Sequence, residues 1–211
     1  MRGAGNPVVE ERPEPTIERP TDAVVRIVAA CVCGSDLWPY RGQEAADDLP
    51  MGHEYVAQII EVGADVTTVA PGDYVVGSFV ISCGTCDICR AGYQSRCVHA
   101  QFVHGSIGVQ AQRARIPYAD GTLVKLPGKP DDDLLPSLLA ASDVLGTGWF
   151  AADAAGAGPG KTIAVVGDGA VGLLGVLAAK QLGSERIIIS SRHAGRQAMA
   201  RTFGATDVIE E

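Results

Sequence analysis

Three groups of side chains in this chain have the types and the spacing to do chemistry. The first is built round Gly52-His53-Glu54, where an imidazole and a carboxylate stand between a glycine and the β-rich run Tyr55 to Val62. Upstream lies Cys33 in Cys33-Gly34-Ser35-Asp36, and far downstream lies Asp143, an acidic residue in the apolar segment Ser142 to Gly148. Cys33, His53 and Asp143 make a sulfur, nitrogen and oxygen set. Three protein ligands leave a fourth position open on zinc, which separates a catalytic site from a structural one. A single histidine in a β-rich run also reads as a hydrogen-bonded core residue, so the argument rests on the company that His53 keeps.

The second group is Cys83, Cys86, Cys89 and Cys97, spaced C-x2-C-x2-C-x7-C. Four thiolates close a tetrahedron round one zinc and leave no open position, so a structural ion without chemistry is expected there. With the ion satisfied, His99 and His104 read as ordinary polar loop residues. Cys31, two residues before Cys33, reads as a small buried side chain.

The third group is the turn Gly167-Asp168-Gly169-Ala170-Val171-Gly172, set between the β-branched run Lys161 to Val166 and the helix-forming run Leu173 to Leu182. In this strand, turn, helix context the motif has a mechanism: Gly167, Gly169 and Gly172 permit a tight turn and close packing. The free N–H groups at Gly169, Ala170 and Val171 face a pyrophosphate. Nineteen residues past Gly172, where a reader of NAD(H) places Asp or Glu, stand Ser191 and Arg192. A hydroxyl beside a guanidinium fits a 2'-phosphate, so NADP(H) is expected over NAD(H). A solvated loop charge is the plainer reading of Arg192.

The elements that must position these groups follow from pattern. Ala23 to Ala30 reads as a strand that delivers Cys31 and Cys33. Tyr55 to Val62, Asp73 to Val80, Val103 to Ile116 and Gly121 to Leu126 read as further strands. Leu134 to Phe150 is helical in period and broken by glycines. Beyond it Arg186 to Ser190, Arg196 to Phe203 and Asp207 to Ile209 read as strand, helix, strand, which implies a parallel sheet. The expected architecture is therefore a β-rich part followed by an α/β part.

Composition narrows the partners. A net charge of −8 argues against nucleic acid or an anionic membrane surface. Apolar residues at 46% and charged residues at 20% suit a soluble globular protein. No run approaches a membrane span and no apolar leader follows Met1, so a cytoplasmic location is expected; clustered cysteines in a reducing compartment favour metal over disulfides.

In this order, the five motifs resemble the zinc-dependent medium-chain alcohol dehydrogenase family over essentially all of residues 8–211. The resemblance implies a GroES-like catalytic domain over residues 1–140, with a structural zinc lobe at 83–97, then a partial Rossmann domain over 141–211. It implies that Cys33, His53 and Asp143 ligate a catalytic zinc beside Glu54 as a neighbouring or exchangeable carboxylate. Ser35 would take the substrate hydroxyl proton, Asp36 would orient His53 through its other nitrogen, and Thr147 would face the nicotinamide. The implied reaction moves a hydride between a small alcohol, or an aldehyde or ketone, and the cofactor, in a homo-oligomer. Two residues depart from the pattern: Ala57 stands where the extended signature has glycine, and Trp38 where many relatives carry a proton-relay histidine. Relatives also carry a second half to the Rossmann sheet, so residues 1–211 alone are expected to be inactive, and a catalytically inactive zinc-binding fragment is the alternative reading.

Overall fold

The computed structural model describes residues 1–210. The chain forms two compact units, one ending at Ser142 and one beginning at Asp143. In the first, the strands are β1 (Ala23–Ala30), β2 (Tyr55–Val62), β3 (Tyr74–Gly77), β4 (Val80–Ile81), β5 (Gln101–Phe102), β6 (Arg113–Ile116) and β7 (Leu123–Lys125). Short helices α1 (Leu37–Tyr40), α2 (Asp87–Arg90) and α3 (Ala119–Thr122) interrupt them, and α4 (Leu135–Ser142) closes the unit.

Five of these strands make one antiparallel sheet in the order β6-β1-β2-β3-β7. Its core face collects Val25, Tyr55, Ala57, Ile59, Val75, Ile116 and Leu123, all buried. Each aliphatic side chain buried there stabilises the fold by about 1.5–3 kcal/mol, which holds the register against slippage. The pairing of β1 with β2 matters most for chemistry. Ala30 lies opposite Tyr55, and the amide of Cys31 donates to the carbonyl of Glu54 at 3.4 Å. Two segments distant in sequence, the exit of β1 and the entry of β2, are thereby neighbours. An irregularity in the ladder between Ile27 and Ala29 bends β1 just before that exit, a common device for re-aiming side chains.

The second unit carries α5 (Val144–Ala154), β8 (Thr162–Val166), α6 (Ala170–Gln181), β9 (Arg186–Ser190), α7 (Ala194–Phe203) and β10 (Asp207–Ile209). Its strands are parallel, in the order β10-β9-β8. Ile187 and Ile189 of β9 pack with Val176, Ala178 and Ala179 of α6 in a separate core. β8 and β10 are the edge strands among the described residues, and the last residue of β8, Val166, is 85% exposed.

Several expected boundaries are corrected. Only Arg113–Ile116 of the run from Val103 is strand; the stretch before it folds back in turns, with the amides of Ile107 and Gly108 both donating to the Val103 carbonyl. Gly105 and Gly108, at φ +79° and +70°, take conformations that no strand uses. The run from Gly121 begins inside the helical turn of α3, so β7 is only three residues long. The strand expected over Asp73 to Val80 divides at Ser78 and Phe79. The helix expected over Leu134 to Phe150 divides at Asp143, whose backbone is non-helical at φ −148°, ψ −73°. Gly146 and Gly148 sit inside α5, because a helix tolerates glycine at about 1 kcal/mol.

The turn between β8 and α6 explains its third glycine. A Cβ on Gly172 would lie 2.0 Å from the carbonyl oxygen of Gly167, a backbone atom that cannot give way. Gly172→Ala should therefore lower the stability of the second unit by more than the 1–3 kcal/mol of ordinary overpacking. Chemical denaturation followed by circular dichroism will show it as a lower midpoint; an unchanged midpoint would mean that the turn relaxes freely.

Candidate functional site

Cys33 precedes a 3-10 turn, Gly34–Asp36, and its amide donates to Asp36 Oδ2 at 2.9 Å. His53 and Glu54 immediately precede β2 and are both buried. One ligand atom from each of Cys33, His53 and Glu54 falls within 4.8 Å of the others. Behind His53, Nδ1 faces Asp36 Oδ1 at 3.4 Å. The Cys33 thiol is held below its ordinary range, first by the hydrogen bond from His53 and, against the cost of burial, by the hydroxyl and amide of Ser35. A cysteine primed toward thiolate, an imidazole turned by a carboxylate and a second carboxylate form a donor set that fits zinc.

Gly52 lets this cluster close. It sits at φ +87°, and a Cβ there would lie 2.5 Å from Gln110 Cγ and 2.9 Å from the Gln110 amide. The side-chain amide of Gln110, which packs into that gap, donates to the Cys31 carbonyl at 3.2 Å and approaches Asp36 Oδ2 at 3.4 Å. Cys31 is half-buried and has a polar partner, unlike the plain buried side chain expected. Its thiol donates to Glu54 Oε2 at 3.0 Å, and burial together with that carboxylate pushes it up to about 12. Cys31 is thus a neutral donor that holds Glu54 in place.

The four-cysteine lobe forms a second cluster, with all four sulfurs within 4.8 Å of one another. Cys97 Sγ lies 3.5 Å from Cys83 Sγ and 4.0 Å from Cys86 Sγ. Zn–S bonds of about 2.3 Å in a tetrahedron put sulfurs about 3.8 Å apart, so the spacing fits the ion. None of the six cysteines is in a disulfide. Backbone amides of Cys83, Cys86, Cys89 and His99 point at sulfur, as they would to stabilise thiolates. Burial and the neighbouring thiols push Cys89 up to about 12, whereas at Cys83 hydrogen bonds from Thr85 and Cys86 overcome burial and bring it to about 6. Binding a cation must therefore displace protons from the lobe.

In the second unit the glycine turn precedes α6, with Gly169 as its N-cap in extended backbone and the first-turn residues Ala170, Val171 and Gly172 behind it. Ser191 is only 2% exposed, and its hydroxyl donates to Asp168 Oδ2 at 2.7 Å. Asp168 Oδ1 accepts from Arg196 Nη1 at 2.8 Å. The Ser191 hydroxyl and then the Arg196 guanidinium hold the Asp168 carboxyl below the usual range, so it is ionised. Arg192 is exposed at the end of β9. Thr147 is exposed on α5, and its hydroxyl donates to Asp143 Oδ1 at 3.0 Å.

The first unit thus gathers Cys33, Ser35, His53 and Glu54, and separately the four cysteines. The second gathers Asp143 with Thr147, and the glycine turn with Ser191. Asp168 and Arg196 were missed as members of that last group; the acidic residue inside the glycine motif was their available signal. His104 was read as a loop residue, but its Nδ1 lies 3.1 Å from Asp36 Oδ1, and nothing in its sequence neighbourhood signals that.

The chain is similar to known proteins. The alcohol dehydrogenase GroES-like domain matches residues 19–128. The chain belongs to the zinc-type alcohol dehydrogenase family. It is 38% identical over 207 residues to a medium chain reductase/dehydrogenase, ucsI, of Acremonium sp, covering 93% of this chain and 70% of that protein. It is 36% identical to zinc-type alcohol dehydrogenase B of Aspergillus flavus, covering 93% of this chain and 47% of that protein. In structure it is similar to alcohol dehydrogenase TADH from Thermus sp. ATN1, with a TM-score of 0.90 and 33% identity over all of this chain and 62% of that one. The chain thus spans about half to two thirds of the length of these family members.

The two sulfur-containing clusters should respond separately to substitution. Cys86→Ser should cost one equivalent of zinc and much of the stability of the lobe, and His53→Ala should weaken zinc at the cluster of Cys33, His53 and Glu54 alone. Metal analysis after dialysis checks both; two equivalents retained in both variants would refute the ligand assignment.

Proposed function

We propose that this family member works as a zinc-dependent oxidoreductase that moves a hydride between a small alcohol, or an aldehyde or ketone, and NADP(H). The observation that carries this reading is the cluster of Cys33, His53 and Glu54 with Asp36 behind His53, in a chain that also carries a strand, glycine turn and helix. Cys33 and His53 would hold the ion, with Asp143 as the third ligand that the resemblance implies. Zinc supplies Lewis acidity there: a fall in hydroxyl pKa from about 16 to about 7, its effect on water, is worth about 12 kcal/mol.

The chain's own residues supply the rest. Ser35 offers a hydroxyl beside the Cys33 sulfur to receive and pass on the substrate proton. Glu54 is kept in place by the Cys31 thiol as a carboxylate beside the ion. Trp38, exposed on α1, offers no relay to solvent, so a proton leaves by another route than in relatives with histidine there. The N–H groups at the start of α6 would face the pyrophosphate of a bound dinucleotide.

The preference for NADP(H) rests on cations at the end of β9 and the absence of a carboxylate at Ser191. The Ser191 hydroxyl is engaged with Asp168, so the burden on the phosphate falls to Arg192 and to Arg196. Hydrogen bonds to a charged group contribute about 1.5–3 kcal/mol, or about ten-fold and more in affinity. In the full-length protein, Arg192→Ala and Arg196→Ala should each lower kcat/KM for NADP+ about ten-fold and leave NAD+ little changed, read from reduced-nicotinamide absorbance with a panel of alcohols. A wild-type protein faster with NAD+ would overturn the cofactor assignment. Ser35→Ala should lower kcat by about 10²-fold or more with little change in zinc content, the scale of a lost proton-transfer group.

A further inference from the structure

Asp36 Oδ1 lies between two imidazoles, His53 Nδ1 at 3.4 Å and His104 Nδ1 at 3.1 Å. The rings meet edge to face, with centroids 5.8 Å apart and planes at 87°. His104 arrives from the turns that follow β5, far from both partners in sequence. Its side chain is 20% exposed, yet both ring nitrogens are shielded from solvent; Nδ1 faces the Asp36 carboxylate at ion-pair distance, and Nε2 has no polar neighbour of that kind. Leaving such an atom unmet carries a desolvation cost that an apolar filler of the same size would avoid. The histidine is therefore placed for its other nitrogen, the one that faces Asp36.

Both oxygens of Asp36 have polar neighbours, Oδ2 through hydrogen bonds and Oδ1 through the two imidazoles. An ionised carboxylate has about four acceptor sites. The Cys33 amide and Gln110 donate to Oδ2, and the two imidazoles face Oδ1 at ion-pair distance. Oδ2 is anchored by hydrogen bonds, and the direction of Oδ1 is set by the imidazoles on either side of it. We propose that His104 is a positioning residue for the ion held at Cys33 and His53. By donating from Nδ1 it fixes Asp36 Oδ1, which accepts the Nδ1 proton of His53 and so keeps the Nε2 lone pair of His53 available to metal. This rests on the reading of Cys33 and His53 as zinc ligands.

The test uses the full-length protein and two variants of His104. His104→Leu keeps bulk and removes the donor; His104→Asn restores a neutral N–H close to where Nδ1 stood. Partners that orient a metal-bound histidine are worth about 10–100-fold in metal affinity. The Leu variant should bind zinc at the open cluster at least about ten-fold more weakly by chelator competition, with an unchanged four-cysteine ion. Cobalt substituted at the open cluster should show shifted thiolate and d–d bands, and 15N spectra of His53 should show mixed tautomers in place of one. The Asn variant should recover most of each signal.

A Leu variant with wild-type affinity and spectrum overturns the proposal and leaves His104 as a space filler. An Asn variant as impaired as the Leu variant overturns it too, since the donor would not be what matters. If the Leu variant fails to fold, the Asn variant decides alone: near wild-type affinity and a single His53 tautomer support the proposal, and loss of either refutes it. A wild-type protein that takes up only one zinc removes the underlying reading of Cys33 and His53. Two zincs with an unperturbed Leu variant remove only the role of His104.

Discussion

The buried carboxylate of Asp36 is the constraint on which the candidate site in the first unit depends. A charge taken out of water costs several kcal/mol unless its lone pairs are met, and Asp36 is 3% exposed. Burial opposes its ionisation, but His104, His53 and the Cys33 amide more than offset that and hold it well below the usual carboxylate range. The turn at 33–36, the entry to β2 at His53 and the turns around 104–110 must therefore converge on one point. The β1–β2 ladder brings two of these segments together. Gly52 admits the third, because it leaves the space that Gln110 fills.

The two metal-fitting clusters differ in how the chain meets the ion. The four-cysteine lobe has scarcely any core besides the cysteines themselves and Tyr118. For such a segment metal binding and folding are one free energy, and its short spacings let backbone amides wrap the sulfurs. The cluster at Cys33, His53 and Glu54 stands instead on the edge of a large apolar core. Its geometry is held by a sheet that folds for other reasons, so it can leave donors incompletely satisfied, which is what an open coordination position requires.

At the cofactor turn a third charge balance is set. Asp168, inside the glycine motif, reaches across to Ser191 after β9 and to Arg196 on α7, so a carboxylate and a guanidinium are paired there. A ligand phosphate placed there competes with Asp168 for Arg196. The availability of Arg196 to such a ligand therefore depends on how far that ion pair opens.

The order of motifs, the closed cysteine set, the β-rich first part and the parallel second part were all legible in the sequence. Each rests on local spacing: two residues between cysteines, alternation in strands, glycines at a strand-to-helix turn. The breaks at Ser78 and Asp143 were not, because backbone that leaves regular structure for tertiary reasons has no periodic mark. The partners of Asp36, Glu54 and Ser191 were also hidden. His104, Cys31 and Asp168 meet them across stretches of chain that only strand pairing and turns bring together, and a hydrogen bond between residues distant in sequence leaves no trace in the residues beside either of them. What the sequence by itself determined was therefore which side chains could bind metal and dinucleotide. Only the tertiary structure decided which neighbours set their charge and direction, since burial and directional hydrogen bonding depend on what the folded chain brings into contact.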